Sequence, residues 1–600
     1  ARVLVAQGSL REREYEIESA EQIYLEALRL SPDEYTVVDA LVSLHERLRR
    51  FDAAAAVLEA FIGRAKDVRN KSAARYRLAE IFGDGAMDPA RAAITLEELI
   101  EEDSEHREAH FRLAQELYLL GRYGEAHRTC ERLIQLAATP GATAPPEELA
   151  RYYDYLGRIA EASGDSAGAG RAYRRAIDLD PSYPPAALSL ARRAAAAPQN
   201  DRGQALNILD EALKVAEARG SEVELQLRRG MARFFVAIDD QSRAVDAYRQ
   251  VLARAPESHD DRVAAAELLS NGDNTLNLAR EELLLVLGSD LRHAPAYRLL
   301  VSVYQRSGDL DRAARVGTML SLLGYAEATD RPPTFRANVK RGSLSDELRR
   351  TRLLPPPVLG AYTEALAAVR ETLDEVYGVP TVHDAMPASA VHDPGFKVCV
   401  VDAQRLFGVT ADVYVAQQVP GGVVMFDSPK PTVIIEAAFV ERPDGERRFL
   451  LGRAFEPLRG GYALVTRLRA AQRAEVGHLL DQLIKPEAER EGQVQEFVKA
   501  LPRKAAKAVE RLQGLAPGAS IEGWFAALGQ AADRAGLLAC DDVGAAARML
   551  ARLGGEELAV SPDGAVALGQ VAGGAELVRF FLSDAYHELR STLGDPTGRL

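Results

Sequence analysis

The stretch ARYYDYLGRIAEASGDSAGAGRAYRRAIDLDP, residues 150–181, decides how the first half of this 600-residue chain is read. Leu156-Gly157 sit in a first helix and Gly164 breaks the chain. Ala169, Tyr173 and Ala176 then recur at i, i+4 and i+7 on a second helix, and Pro181 ends it. That spacing lines a single helical face. Small residues at the first and third stripe positions let two antiparallel helices approach, a bulky residue at the second fills the groove between them, and glycine lets the chain reverse. The stripe returns at Ala20/Tyr24/Ala27, Ala54/Leu58/Phe61, Ala126/Cys130/Leu133 and Ala205/Leu209/Ala212, and again at Ala244/Tyr248/Val251, Ala279/Leu283/Val286 and Ala313/Gly317/Leu320. A looser copy falls around Leu78-Ala79, Leu96 and Leu99. The pattern predicts nine helical hairpins between residue 1 and about residue 324.

A period of about 34 residues with this stripe resembles the tetratricopeptide repeat (TPR). The resemblance implies an α-solenoid whose groove, lined by outward positions of each repeat's first helix, holds a protein or peptide partner. Those positions include Gln115 and Tyr118 in one repeat and Asp154, Arg158 and Glu161 in the next. Their mixed charges suit polar or charged partners, although a solvated helix face reads the same way. His106 and His110 have the four-residue spacing of metal ligands, but no third ligand is evident and the pair straddles a repeat boundary. Cys130 occupies a bulky stripe position and is expected to be a buried apolar residue.

Composition removes several classes of protein. The net charge is −14, with ten Lys and sixty-four Arg and no basic block, which argues against a dedicated nucleic-acid or anionic-membrane binder. Three cysteines, Cys130, Cys399 and Cys540, are too few and too scattered for a disulfide framework or an all-cysteine zinc site, so a reducing, cytoplasmic setting is expected. No apolar run reaches the length of a membrane-spanning helix, and no signal-peptide pattern opens the chain. Because the sequence starts at Ala1 in mid-pattern, an upstream segment is expected.

Residues 325–359 change character, with Pro332-Pro333, the basic stretch Arg336–Arg341 and Pro355-Pro356-Pro357, and read as an extended proline-rich basic connector. A helix is predicted over 360–378. The runs KVCVVDAQ (397–404), ADVYVAQQ (411–418), GGVVMF (421–426) and TVIIEAAFVE (432–441) then read as strands, with Cys399 in a core position. Beyond residue 445 the chain is helical again, with a strand-like patch near Leu558–Val560 and a frayed end from Gly594 to Gly598. The basic amphipathic segment 499–515 suits either an acidic surface or an intramolecular contact. Fold class is thus mainly α: a solenoid over 1–324, a connector over 325–359 and an α+β domain over 360–600.

The order strand, Gly-Gly hairpin, strand, then ERRFLLGRAFEPLRGGYALVTRL (446–468) resembles the HExxH zinc metallopeptidases of the HtpX and CAAX-prenyl-protease type. Pro431, Val433, Ile434 and Ile435 match that family's strand, and Glu446, Arg448, Phe449 and Gly452 match its helix entry. GQAADRAGLLAC (529–540) matches a later family helix through Ala532, Asp533, Arg534 and Gly536. The resemblance implies a zincin-like fold without its chemistry. Arg453, Ala454 and Pro457 stand at positions of the His-Glu-x-x-His motif, Gly529 stands where the third ligand would be, and an arginine repels a divalent cation. Pro457 would remove a helix donor and bend the helix.

Two readings of the altered cleft compete. In one, Arg453 and Glu456 form an i, i+3 ion pair filling the space of the metal, and Asp533 keeps a structural role by pairing with an arginine such as Arg453. In the other, Arg453 with Arg459 binds a carboxylate or phosphate on a peptide. Neither a phosphate loop nor a dinucleotide fingerprint occurs. The expected function is a non-catalytic scaffold or adaptor that binds proteins, needs no cofactor and acts on no nucleic acid. The alternative is a hydrolase or peptidase using residues outside the family motif.

Overall fold

The computed structural model describes residues 1–139, 143–181, 183–196, 199–219, 221–325, 342–378, 382–427, 430–555 and 571–594. Pro332-Pro333, Arg336–Arg341, Leu558–Val560 and the tail after Gly594 lie outside the described residues. The chain divides into two compact units, Ala1–Asp261 and Arg262–Leu600. Among the described residues, eighteen α-helices follow one another in pairs between Arg2 and Leu322.

Within the first unit, Pro146–Ala162 (α1) and Ser166–Leu179 (α2) show how each pair is built. Pro146, Glu147 and Glu148 start α1, where a missing donor and negative charge are both favoured. Gly164 turns the chain at φ +87°, and Asp165 caps α2 by accepting from Gly168 N at 2.8 Å. Ala169, Tyr173 and Ala176 are fully buried, as are Ala20, Ala27, Ala54, Leu58 and Phe61 at the matching places of earlier pairs. Gly157 has its own reason. A Cβ there would lie 2.6 Å from Tyr173 Cε1, so the missing side chain makes room for the tyrosine ring, and Gly8 does the same for Tyr24. At the turn occupied by Gly121 and Gly164, other pairs carry Tyr15, Arg49 and Asp239 with φ of 62°, 56° and 61°. His106 and His110 are structural: His106 Nδ1 accepts from Ala109 N at 3.2 Å as a helix cap, and buried His110 Nε2 sits 3.1 Å from Ser104 O.

The second unit begins with the last helices of the array, of which Leu310–Leu322 (α3) is the last. The described part of the expected connector is folded, which corrects its reading as an extended linker. Leu344 N donates to Leu406 O at 2.8 Å, Pro356–Leu359 form a 3₁₀ turn, and Leu344, Leu353 and Val358 are buried. Proline fixes φ near the value a 3₁₀ turn needs, so a proline run can cap a core as readily as leave it. Ala361–Tyr377 (α4) follows as predicted.

The run 397–404 is also corrected, because it lies in a helix, Pro394–Phe407 (α5), and not in a strand. Asp393 caps it by accepting from Phe396 N at 3.0 Å, Pro394 begins it and Gly408 ends it. Phe396, Cys399, Val400, Ala403 and Phe407 form its buried stripe, whereas Val398 and Val401 are 53% and 58% exposed. Met386–Pro387 (β1), Asp412–Ala416 (β2), Val423–Phe426 (β3) and Thr432–Glu436 (β4) make one sheet in the order β1-β2-β4-β3. β2 and β4 are parallel, with Val413 beside Val433, and β3 is antiparallel to β4, with Val424 beside Ile434. β3 is therefore an edge strand. The 432–441 run leaves the sheet after Glu436 as a helical turn, Ala437–Val440.

Asp444–Gly460 (α6) runs through Pro457 and ends at Gly461, leaving the proline in its last turns. Ala463–Arg467 (α7) and Ala470–Ile484 (α8) follow, then Ile521–Cys540 (α9), Gly574–Leu582 (α10) and Asp584–Leu593 (α11). α6 and α9 cross at two glycines: a Cβ on Gly452 would lie 2.6 Å from Ala535 O, and one on Gly536 would lie 2.8 Å from Phe449 Cδ2. The adjoining core gathers Tyr362, Leu366, Leu480, Leu483, Leu528 and Trp524, whose Nε1 donates to Thr363 Oγ1 at 2.9 Å. Leu501, Val509 and Leu512 join it, so the apolar face of segment 499–515 is an intramolecular one.

Candidate functional site

A cleft of about 490 Å³ opens along edge strand β3. Val423, Val424 and Met425 of β3 line it together with Arg453 of α6, Gly529 of α9, and Arg467, Arg469 and Arg473 of α7 and α8. Gly529 is open ground, since a Cβ there would meet nothing within 4 Å. Arg453 and Asp533 are brought together: Arg453 Nε donates to Asp533 Oδ1 at 2.7 Å. Burial pushes the Asp533 carboxyl above its ordinary range, and the arginine pulls it back.

Glu456 and Arg459 take other partners, which corrects the ion pair expected between Arg453 and Glu456. Arg349, in the folded part of the expected connector, grips Glu456 with two nitrogens, Nε at 2.9 Å and Nη2 at 2.5 Å from Oε1. Glu456 is fully buried, so desolvation raises its carboxyl while Arg349 opposes the rise. Arg459 Nη2 donates to Asp346 Oδ1 at 2.7 Å and does not line the cleft. One residue's offset on a helix rotates a side chain by about 100°, and sequence spacing alone does not say which arginine arrives from a distant segment. Ala454 and Pro457 are buried in α6.

No motif in the sequence marks Arg467, Arg469 and Arg473 as site residues, although TRLRAAQR (466–473) concentrates them directly after the Gly460-Gly461 stop. Arg467 Nη2 donates to Asp374 Oδ1 at 2.6 Å and to Gly378 O at 3.1 Å, while its Nη1 is buried with no hydrogen-bond partner. Arg469 and Arg473 are exposed. Among the described residues, no group of three or more His, Cys, Asp or Glu side chains is arranged to hold a metal ion. Burial pushes the Cys130 thiol up to about 12 and the Cys399 thiol up to about 11, the opposite of what a nucleophilic cysteine needs.

In the repeat array, Gln115 and Tyr118 are half-buried, and the Tyr118 ring meets Tyr123 and Tyr155 at 5.6 and 5.9 Å. Exposed Arg158 covers the Tyr155 ring at 5.3 Å. Asp154 departs from the solvated-face reading: it is 4% exposed, and burial pushes its carboxyl up to about 6 against the pull of Arg158. Glu161 accepts from Tyr173 Oη at 3.0 Å and Arg192 Nη2 at 2.8 Å. It borders a groove of about 930 Å³ that is also lined by Arg171, Arg174, Arg192 and Arg193.

Paired helices with an interlocking small-large-small stripe define a helical-hairpin repeat array. Residues 150–183 match the tetratricopeptide repeat family, and the pairs on either side repeat their geometry. Among solved structures, the C-terminal part of a TPR repeat-containing protein from Cytophaga hutchinsonii is 16% identical with a TM-score of 0.32, covering 42% of this chain and 95% of that one. YrrB, a TPR protein with an unusual peptide-binding site, is 18% identical with a TM-score of 0.25, covering 30% of this chain and 88% of its own. MamA from Desulfovibrio magneticus is 17% identical with a TM-score of 0.26, covering 32% and 98%. Among curated proteins, none matches the chain significantly. Among the described residues, no helix is long and apolar enough to cross a membrane.

Proposed function

We propose that the chain is a non-catalytic, cytoplasmic protein-interaction scaffold. The TPR array over 1–324 holds one partner, and a zincin-like α+β domain, extended back from residue 360 to Gly342, offers its cleft as a second binding surface. The observation that carries this reading is the Arg453–Asp533 ion pair beside the open Gly529. A charged guanidinium fixed by a half-buried carboxylate opposes a divalent cation at the same spot, yet leaves a shaped, accessible cleft. The aromatic and charged positions Tyr118, Arg158 and Glu161 support partner binding along the array, and the high thiol values of Cys130 and Cys399 weigh against the hydrolase alternative.

Metal analysis of the purified full chain after incubation with zinc, together with hydrolysis of labelled casein, tests the proposal. Substoichiometric zinc and no hydrolysis are expected. Stoichiometric zinc with chelator-sensitive cleavage would overturn it.

A further inference from the structure

The cleft beside β3 combines two features that need not occur together. β3 pairs only with β4, so its other edge carries main-chain donors and acceptors with no strand partner among the described residues. An extended peptide satisfies such an edge by adding a strand. The cleft also carries more cations than anions, since Arg453 is paired with Asp533 and Arg467 with Asp374 while Arg469 and Arg473 are exposed beside them. Arg453, Arg467, Arg469 and Arg473 line it and no aspartate or glutamate does, in a chain whose net charge is −14. Arg453 uses only Nε on Asp533, and Arg467 keeps one buried nitrogen without a hydrogen-bond partner. Phe525 and Leu528 supply apolar ground in the same cleft.

We infer that this cleft holds an extended acidic segment of a partner protein, its backbone along β3, its carboxylates on Arg469, Arg473 and the free face of Arg453, and its apolar residues against Phe525 and Leu528. The inference rests on the proposed non-catalytic reading of the same cleft. A free polyanion would satisfy the arginines but not the strand edge, and a neutral peptide would do the reverse.

Fluorescence polarisation of the full chain with an end-capped, fluorescein-labelled octapeptide of alternating Glu and Val separates these cases. Binding is expected, with affinity at least about tenfold weaker for the peptide carrying Gln in place of Glu and for the Arg469→Glu/Arg473→Glu variant. Both arginines are exposed, so an unchanged thermal melt checks that the variant folds. N-methylation of alternate peptide amides, in the frame facing β3, should abolish binding. Equal affinity for the Gln peptide, indifference to the double variant or to N-methylation in both frames, or equal displacement by inorganic polyphosphate of matched charge would each overturn the inference. Failure to bind leaves the scaffold proposal standing, whereas cleavage of the peptide sinks that proposal first.

Discussion

Replacing Asp541 tests the ionic lock of the second unit. Asp541 is fully buried just after α9, at φ 55°, and accepts from Tyr586 Oη at 2.6 Å and from Arg590 Nε at 2.9 Å. Arg590 also pairs with Asp311 of α3, where Arg315, 2% exposed, donates to Phe581 O at 2.6 Å and approaches His587 Nδ1 at 3.2 Å. Asp541→Ala removes the acceptor shared by Tyr586 and Arg590 and leaves a buried guanidinium and phenol without it, at a cost of about 3–5 kcal/mol. Alanine in the left-handed region adds about 1 kcal/mol. Asp541→Asn keeps an acceptor and tolerates that backbone, so it should cost about half as much. The chain's single tryptophan, Trp524, is buried in this unit and reports on it alone. With a urea dependence of about 3 kcal/mol/M, Asp541→Ala should lower the Trp524 unfolding midpoint by about 1–2 M. Midpoints for both variants within about 0.3 M of the parent would refute the assignment of the lock.

Four further outcomes follow from individual residues. Asp311 titrates near 2, below the ordinary 3.8: burial opposes this depression, but His587, Arg590 and Arg315 outweigh it. Its stabilisation is therefore complete above about pH 4 and lost as pH falls toward 2, a slope in Trp524-monitored stability that Asp311→Asn should flatten. Asp154 is the opposite case. Its carboxyl is raised to about 6, so its contribution is complete below 3.8 and lost as pH rises through 6. Asp154→Asn should then slow hydrogen exchange in α1 and α2 at pH 7 by the equivalent of about 1–3 kcal/mol, with no gain at pH 4. Gly452→Ala forces a Cβ to within 2.6 Å of Ala535 O and 2.7 Å of Ala539 Cβ and should destabilise the second unit by about 1–3 kcal/mol or more; an unchanged melt would mean that α6 and α9 do not cross there. Arg49→Gly should stabilise its hairpin by about 1 kcal/mol, read by hydrogen exchange of residues 35–62, because it relieves a side chain at φ 56°.

The repeat array was legible because its information is local. Ala169, Tyr173 and Ala176 lie on one helix and bury against the helix just before it, so spacing, packing and turn all fall within one short stretch of sequence. The second unit lacks that property. Its strands over 411–436 were readable from alternation, but Cys399 and its valines were not, since a Val-rich run satisfies both periods. The deciding marks were Asp393-Pro394 before the run and Gly408 after it. The candidate cleft was half-legible for a related reason. Arg453 and Asp533 could be paired from two separate motifs, and Gly452 and Gly536 do meet at the helix crossing. Glu456, however, receives its cation from Arg349, 107 residues earlier in the chain. A fully buried carboxylate needs a partner wherever the fold can supply one, and proximity along α6 gave Arg453 no advantage, because its side chain already reaches Asp533 on α9. Arg469 and Arg473 are unmarked in the sequence for the same physical cause. An exposed arginine carries no packing signature, and its meaning comes only from the strand edge that the fold sets beside it.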